Sequence, residues 1–178
     1  MTIKSLVLIA SLLVSLGLSS AFADENKVSD HNIGVAAGFV TGYGLSYRQW
    51  FGKNGVQVTL APYYSNDTME TNFTMSFGAV GLRMLKEARF VNLFAYYGAH
   101  AWYMNDKRLE YDGYYPQQTN GHWVYDKQKR LFVGGGPGLD IHFWRLSFNL
   151  MFGLAFSTDF VKSTGVSFSG ETGLYYSF

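Results

Sequence analysis

Between Leu146 and Phe156 every second residue is large and apolar: Leu146, Phe148, Leu150, Phe152, Leu154 and Phe156 alternate with Ser147, Asn149, Met151, Gly153 and Ala155. A period of two belongs to an extended strand, whose successive side chains point to opposite faces. The final segment repeats it, with Val166, Phe168, Gly170, Thr172, Leu174, Tyr176 and Phe178 on one face and Ser167, Ser169, Glu171, Gly173, Tyr175 and Ser177 on the other. Segment 131–143 sets Leu131, Val133, Leu139, Ile141 and Phe143 against Gly134, Gly136, Gly138, Asp140 and His142. In both segments the charge falls on the face of small residues.

The rest of the chain follows the same rule. Val91, Leu93, Ala95, Tyr97, Ala99 and Tyr103 alternate with Asn92, Phe94, Tyr96, Gly98, His100 and Trp102, and Val58, Leu60 and Tyr64 alternate with Gln57, Thr59 and Tyr63. Segment 72–85 changes parity, from Phe73, Met75 and Phe77 to Val80, Leu82 and Met84, which predicts a bulge near Gly78 and places Arg83 on the small face. Two glycine-diluted stretches, 32–39 and 43–51, complete eight predicted strands. Connections at Lys53-Asn54, 86–89 and Trp144 are short, whereas 65–71, 105–128 and 157–164 are longer. Such alternation is expected of a barrel with short turns at one end and long loops at the other, the tight Val40-Thr41-Gly42 turn being the exception.

A soluble sandwich would bury the apolar faces and solvate the others. Here the small face collects Arg48, Arg83, Asp140, His142, Asn149 and Glu171, too many charges for a sandwich core, because each unpaired one costs several kcal/mol. The polar face must line the inside, and the apolar face must meet lipid. Strands in lipid are stable only in a closed sheet that leaves no unpaired edge. The expected fold is therefore an all-β, eight-stranded antiparallel up-and-down transmembrane β-barrel over residues 32–178. Composition agrees: 18% of residues are aromatic and only 15% are charged, below the soluble norm of about 25%.

The N-terminus reads as a secretory signal peptide. Lys4 precedes an apolar run from Leu6 to Leu18, and Ala21-Phe22-Ala23 forms a small-residue cleavage site before Asp24-Glu25. Residues 1–23 are expected to be removed and 24–31 to form a short periplasmic segment. The chain lacks cysteine, so no disulfide supports it in an oxidising compartment. The 14 basic and 13 acidic residues become balanced once Lys4 is lost, which argues against a nucleic-acid partner.

The closing residues Gly173-Leu174-Tyr175-Tyr176-Ser177-Phe178 resemble the last strand of bacterial outer-membrane proteins. With the signal peptide and eight strands, the whole mature chain resembles the small OmpA/OmpX-type barrels. That resemblance implies residence in the outer membrane of a Gram-negative cell, contact with outer-membrane lipid and lipopolysaccharide, and delivery by the barrel-assembly machinery through a signal formed by Tyr176 and Phe178.

Eight strands enclose a lumen that side chains can fill, so a broad pore is not expected. Arg48 and Arg83 are expected to pair with Asp140 and Glu171, near His142, as a lumen charge network; the alternative is a narrow or gated, porin-like path for small or apolar solutes along those charges. An acyl hydrolase or transferase acting on lipid A would need a Ser-His-acid set, and Asp140 and His142 share a face with Ser147 and Ser169 nearby. By this topology, however, His142 falls at the periplasmic rim. No catalytic residue, metal ligand or cofactor site is assigned, and Gly134-Gly135-Gly136-Pro137-Gly138 lacks the Lys-Ser/Thr ending of a phosphate loop. Small lumen residues explain that run, with a local bulge expected at Pro137. The 105–128 stretch, with Tyr111, Tyr114, Tyr115, Trp123 and Tyr125 among charges, is the candidate surface-binding loop, or a hairpin continuing the strands to a tip at 116–121.

Overall fold

The computed structural model describes residues 30–67, 70–88, 90–111, 121–159 and 164–178. Eight strands follow one another: β1 (Asp30–Ala37), β2 (Gly44–Phe51), β3 (Asn54–Asn66), β4 (Glu70–Lys86), β5 (Val91–Tyr111), β6 (Gly121–Phe143), β7 (Leu146–Thr158) and β8 (Thr164–Ser177). Each pairs antiparallel with the next, and β8 pairs with β1, so the sheet closes into a barrel. The expected signal peptide and the segment 24–29 lie outside the described residues. Asp30 and His31, expected in that leading segment, belong to β1.

Register defines the barrel's shape. Starting at Tyr176, the ladder partners run through Ile33, Tyr47, Val58, Ala79, Ala99, Val133 and Phe156 to Val166, ten residues up the starting strand. A stagger of ten residues over eight strands corresponds to a strand tilt of about 40° at ordinary strand spacings. This is the eight-stranded antiparallel up-and-down barrel that the period-two pattern predicts.

The outer face is apolar. Ile33, Val35, Leu45, Val58, Leu60, Phe77, Tyr97, Phe148, Phe152, Leu154, Phe156 and Leu174 are all exposed. Along β7 the run Leu146–Phe156 would span about 25 Å of height at this tilt, the height of a lipid-facing band.

Two predicted irregularities are corrected. No bulge occurs at Gly78, which pairs in step with Thr59 and His100; the register shift in β4 lies between Met84 and Lys86. Val80, Leu82 and Met84 therefore face inward, where they pack with Trp50, Phe94, Tyr96 and Met151 as an apolar core. The barrel interior is thus half oily, which lets these side chains fill volume without needing polar partners. Pro137 causes no shift either: the β6–β7 register is the same on both sides of it. Its missing N–H is accommodated by a local gap in that ladder, which skips Gly136 and Pro137.

Candidate functional site

Opposite the apolar core, the inner face is polar. Arg48 on β2 is fully buried; its Nη1 donates to Asp140 Oδ2 on β6 at 3.0 Å, and its Nε donates to Gln57 Oε1 at 3.3 Å. The guanidinium lies 3.9 Å from the centre of the Tyr175 ring. A cation taken out of water needs such partners, and here a carboxylate, an amide and an aromatic face supply them. Among the described residues, Arg48 Nη2, Gln57 Nε2, Asp140 Oδ1, Ser147 Oγ and both side-chain polar atoms of Asn149 have no protein partner, so this layer is suited to holding buried water.

Glu171 takes a different partner from the one expected. Its carboxylate accepts the backbone N–H groups of Val40 at 2.8 Å and Thr41 at 2.7 Å, together with the Ser169 hydroxyl. These amides belong to the β1–β2 connection, residues 38–43, which the sequence places as a tight external turn. Instead of continuing up the wall, the hairpin tip bends into the lumen. Gly42 and Gly44 have φ of 78° and 120°, values that only glycine adopts without strain, and Gly38 and Gly42 exchange backbone hydrogen bonds at 3.1 Å. Val40 and Thr41 become fully buried.

The far wall is shaped to receive the tip. A Cβ at Gly78 would lie 1.9 Å from the Thr41 carbonyl oxygen, and one at Gly134 would lie 2.8 Å from Val40 Cγ2. Glycine at these two positions makes the close approach possible. On β5, His100 Nδ1 lies 3.0 Å from the Phe39 carbonyl oxygen and Nε2 lies 2.9 Å from Ser76 Oγ, which in turn accepts the Tyr43 N–H at 2.9 Å. With Nδ1 protonated, His100 donates to Phe39 and accepts from Ser76, so one neutral tautomer satisfies both bonds. The Ser76–His100 spacing is that of a nucleophile and base, yet both side chains are buried and both are occupied in holding the turn. By parity His100 falls on the lumen face, but parity names no partner for it. Its contacts come from the in-folded turn, which has no periodic signal.

The other predicted residues fall as follows. Arg83 is exposed on the outer face beside the β2–β3 turn, where it donates to Asn54 Oδ1, so its expected place in the lumen network is corrected. The predicted bulge had moved it inside; continuous register puts it outside. His142 is half-buried at the end near the chain termini, 3.5 Å from Asp140 and 3.0 Å from Asn92 Nδ2. Ser147 Oγ makes no hydrogen bond among the described residues, so no Ser-His pair forms there. Arg48, Asp140 and His142 form one group; Glu171 forms another, with the turn.

Beyond the barrel body, β5 and β6 continue as a paired hairpin as far as Tyr111 and Gly121. Within the candidate loop, residues 105–111 and 121–128 thus continue two paired strands, and 112–120 lie outside the described residues. Trp123 and Tyr125 are exposed on it, and Lys107 Nζ sits 4.3 Å from the Trp123 ring centre and 5.5 Å from that of Tyr125. Tyr111 ends β5, and Tyr114 and Tyr115 lie outside the described residues. Tyr176 and Phe178 lie at the opposite end of the barrel, where the Phe178 N–H donates to the His31 carbonyl at 3.0 Å and its ring stacks on His31 at 5.9 Å.

Among solved structures, the chain is similar to the N-terminal β-barrel domain of Pseudomonas aeruginosa OprF, with 12% identity, a TM-score of 0.46, and coverage of 84% of this chain and 96% of that one. It is similar to Ail, the attachment invasion locus protein of Yersinia pestis, at 14% identity and a TM-score of 0.46, covering 84% and 97%. Neisserial surface protein A matches at 14% identity and a TM-score of 0.38, covering 84% and 94%. No protein-family model and no curated protein matches the chain.

Proposed function

We propose that this is an integral outer-membrane protein whose barrel is a closed anchor and whose working surface is the projecting β5–β6 hairpin. The observation that carries this reading is the Glu171-held turn lying across the lumen. With Val40 and Thr41 fully buried against Gly78 and Gly134, and with Trp50, Phe94 and Met151 packed beneath, a continuous water path has little room. The apolar belt supports a lipid-facing exterior, since such a surface in water would far exceed the patches that soluble monomers expose. The buried Arg48–Asp140 pair then serves to hold the lumen together.

A closed anchor leaves the outside end to act. The hairpin presents Trp123 and Tyr125 with Lys107, and Tyr103 with Lys129 on the same face, a mixture of flat apolar rings and cations suited to polysaccharide or protein surfaces. Lipopolysaccharide, which would surround an outer-membrane barrel, is the partner of that chemistry nearest to hand. The barrel-assembly machinery is a proposed partner during insertion, through Tyr176 and Phe178.

Two measurements test the reading. Refolded protein in planar bilayers should conduct no discrete current; spontaneous openings of the unaltered protein would favour the narrow-channel alternative instead. Proteoliposomes should be retained on immobilised lipopolysaccharide polysaccharide, and Trp123→Ala with Tyr125→Ala should abolish that retention. Retention unchanged by the double substitution would remove the hairpin from the function.

A further inference from the structure

The bend that sends residues 38–43 into the lumen also leaves the wall incomplete among the described residues. β1 pairs with β8 only as far as Ala37 with Thr172, and β2 pairs with β3 only as far as Leu45 with Leu60. Beyond those points β8 continues to Thr164 and β3 to Asn66, and no described strand lies between them. Three strand spacings separate β3 from β8, about 14 Å from centre to centre. From Thr172 to Val166 the gap rises about 15 Å along tilted strands.

This gap lies within the apolar belt. Val166 and Phe168 flank it on β8, facing outward and 61% and 86% exposed, and Pro62 and Tyr64 flank it on β3. Val166 also stands level with the belt on the neighbouring strand, where it pairs with Phe156. Behind the gap, the upper surface of the inserted turn forms a floor of rings. Phe39 packs 5.5 Å from Phe132, Phe132 stacks on His100, and Tyr43 meets His100 edge-on at 5.3 Å. Phe39 and Tyr43 remain about two-fifths exposed, although they sit inside the ring of strands.

We infer that the gap between β3 and β8 is a lateral port through which an acyl chain of an outer-leaflet lipid enters the upper lumen and lies on Phe39, Tyr43 and Phe132. The inference rests on the membrane reading given above. Hydrocarbon is what faces an opening at the height of Val166 and Phe168, and aromatic rings offer it apolar contact that water would not. Among the described residues, the two flanking edges carry backbone groups without strand partners on that side, which are costly in pure hydrocarbon. The carbonyl linkage of a lipid, lying nearer the surface than its chain, can accept from such an edge. A chain seated there leaves the Glu171-held floor in place, so the port opens sideways into the upper lumen and leads no further.

The absence of native cysteine makes the test direct. Phe39→Cys and Ser167→Cys, each labelled with bimane, report on the floor and on the edge of the port. Phe152→Cys marks the belt and Trp123→Cys the hairpin. All are refolded into phosphatidylcholine vesicles containing a phosphatidylcholine with a doxyl group midway along one chain. The expected result is loss of fluorescence at 39 and 167 equal to that at 152, with little loss at 123. Quenching at 152 without quenching at 39 and 167 overturns the port, whether water or protein fills the gap. No quenching at 152 overturns the membrane reading itself, and the port with it. Because 39 and 167 lie on different elements, misfolding caused by one substitution leaves the other as a valid reporter.

Discussion

Thr41 gives its backbone N–H to the Glu171 carboxylate at 2.7 Å, joining residues 130 positions apart and holding the β1–β2 turn inside the ring of strands. The same carboxylate holds Val40, so a single side chain on β8 retains the β1–β2 turn. Replacing it leaves two buried amides without their acceptor, and each hydrogen bond to a charged group is worth about 1.5–3 kcal/mol. Glu171→Ala is expected to turn a silent bilayer into one with discrete openings, while Glu171→Gln, which keeps one accepting oxygen, should open more rarely. Single-channel recording checks both; equal silence in all three proteins would mean that the side-chain core alone closes the lumen.

Gly78 tests the same closure from the opposite wall. Its missing Cβ is the space occupied by the Thr41 carbonyl, whereas a Cβ at Gly170 would meet nothing within 4 Å. Gly78→Ala should therefore displace the turn and raise conductance, and Gly170→Ala should change nothing measurable. Similar conductance in the two variants would count against docking of the turn at Gly78.

Breaking the Arg48–Asp140 pair strands a buried charge. Arg48→Met or Asp140→Leu alone should lower stability by about 3–5 kcal/mol, and the double substitution should recover much of that loss because no unpaired charge remains. Urea unfolding in detergent micelles, followed by tryptophan fluorescence, measures the cycle. Additive losses would show that the two residues act independently.

Arg83 provides the contrast. Exposed on the outer face and bonded only to Asn54 among the described contacts, it should tolerate replacement: Arg83→Ala is expected to shift stability by no more than about 0.5 kcal/mol and to leave conductance silent. A loss as large as that of Arg48→Met would return Arg83 to the lumen.

On the hairpin, the half-buried Lys107 lies over two exposed rings, where a cation–π contact contributes about 0.5–1 kcal/mol. Lys107→Ala should loosen the strands beyond the barrel body and speed proteolytic cleavage within 105–128, with the unfolding midpoint of the barrel unchanged. Limited proteolysis of proteoliposomes followed by mass spectrometry locates the cuts.

What the sequence determined by itself is the part governed by parity. Period-two alternation is a local property, so it was enough to define eight strands, the outward belt from Leu146 to Phe156, and the inward direction of Arg48, Asp140 and Glu171. Parity also carried the correct position of Arg83, had the register been read straight through Gly78. The apolar run Val80, Leu82 and Met84 misled because an interior face can also be oily, and whether it is depends on the neighbours it meets across the lumen. Tertiary structure alone decided the partners. Which carboxylate faces Arg48, and what Glu171 holds, follow from a stagger of ten residues accumulated around the whole ring. Residues 38–43 lack alternation because glycine interrupts them, so their turn inward became visible only through the walls that receive it: Gly78, Gly134, His100 and Ser76 on three other strands. That one bend both places residues 38–43 inside the ring and leaves no described strand between the upper parts of β3 and β8, since six residues cannot occupy both places.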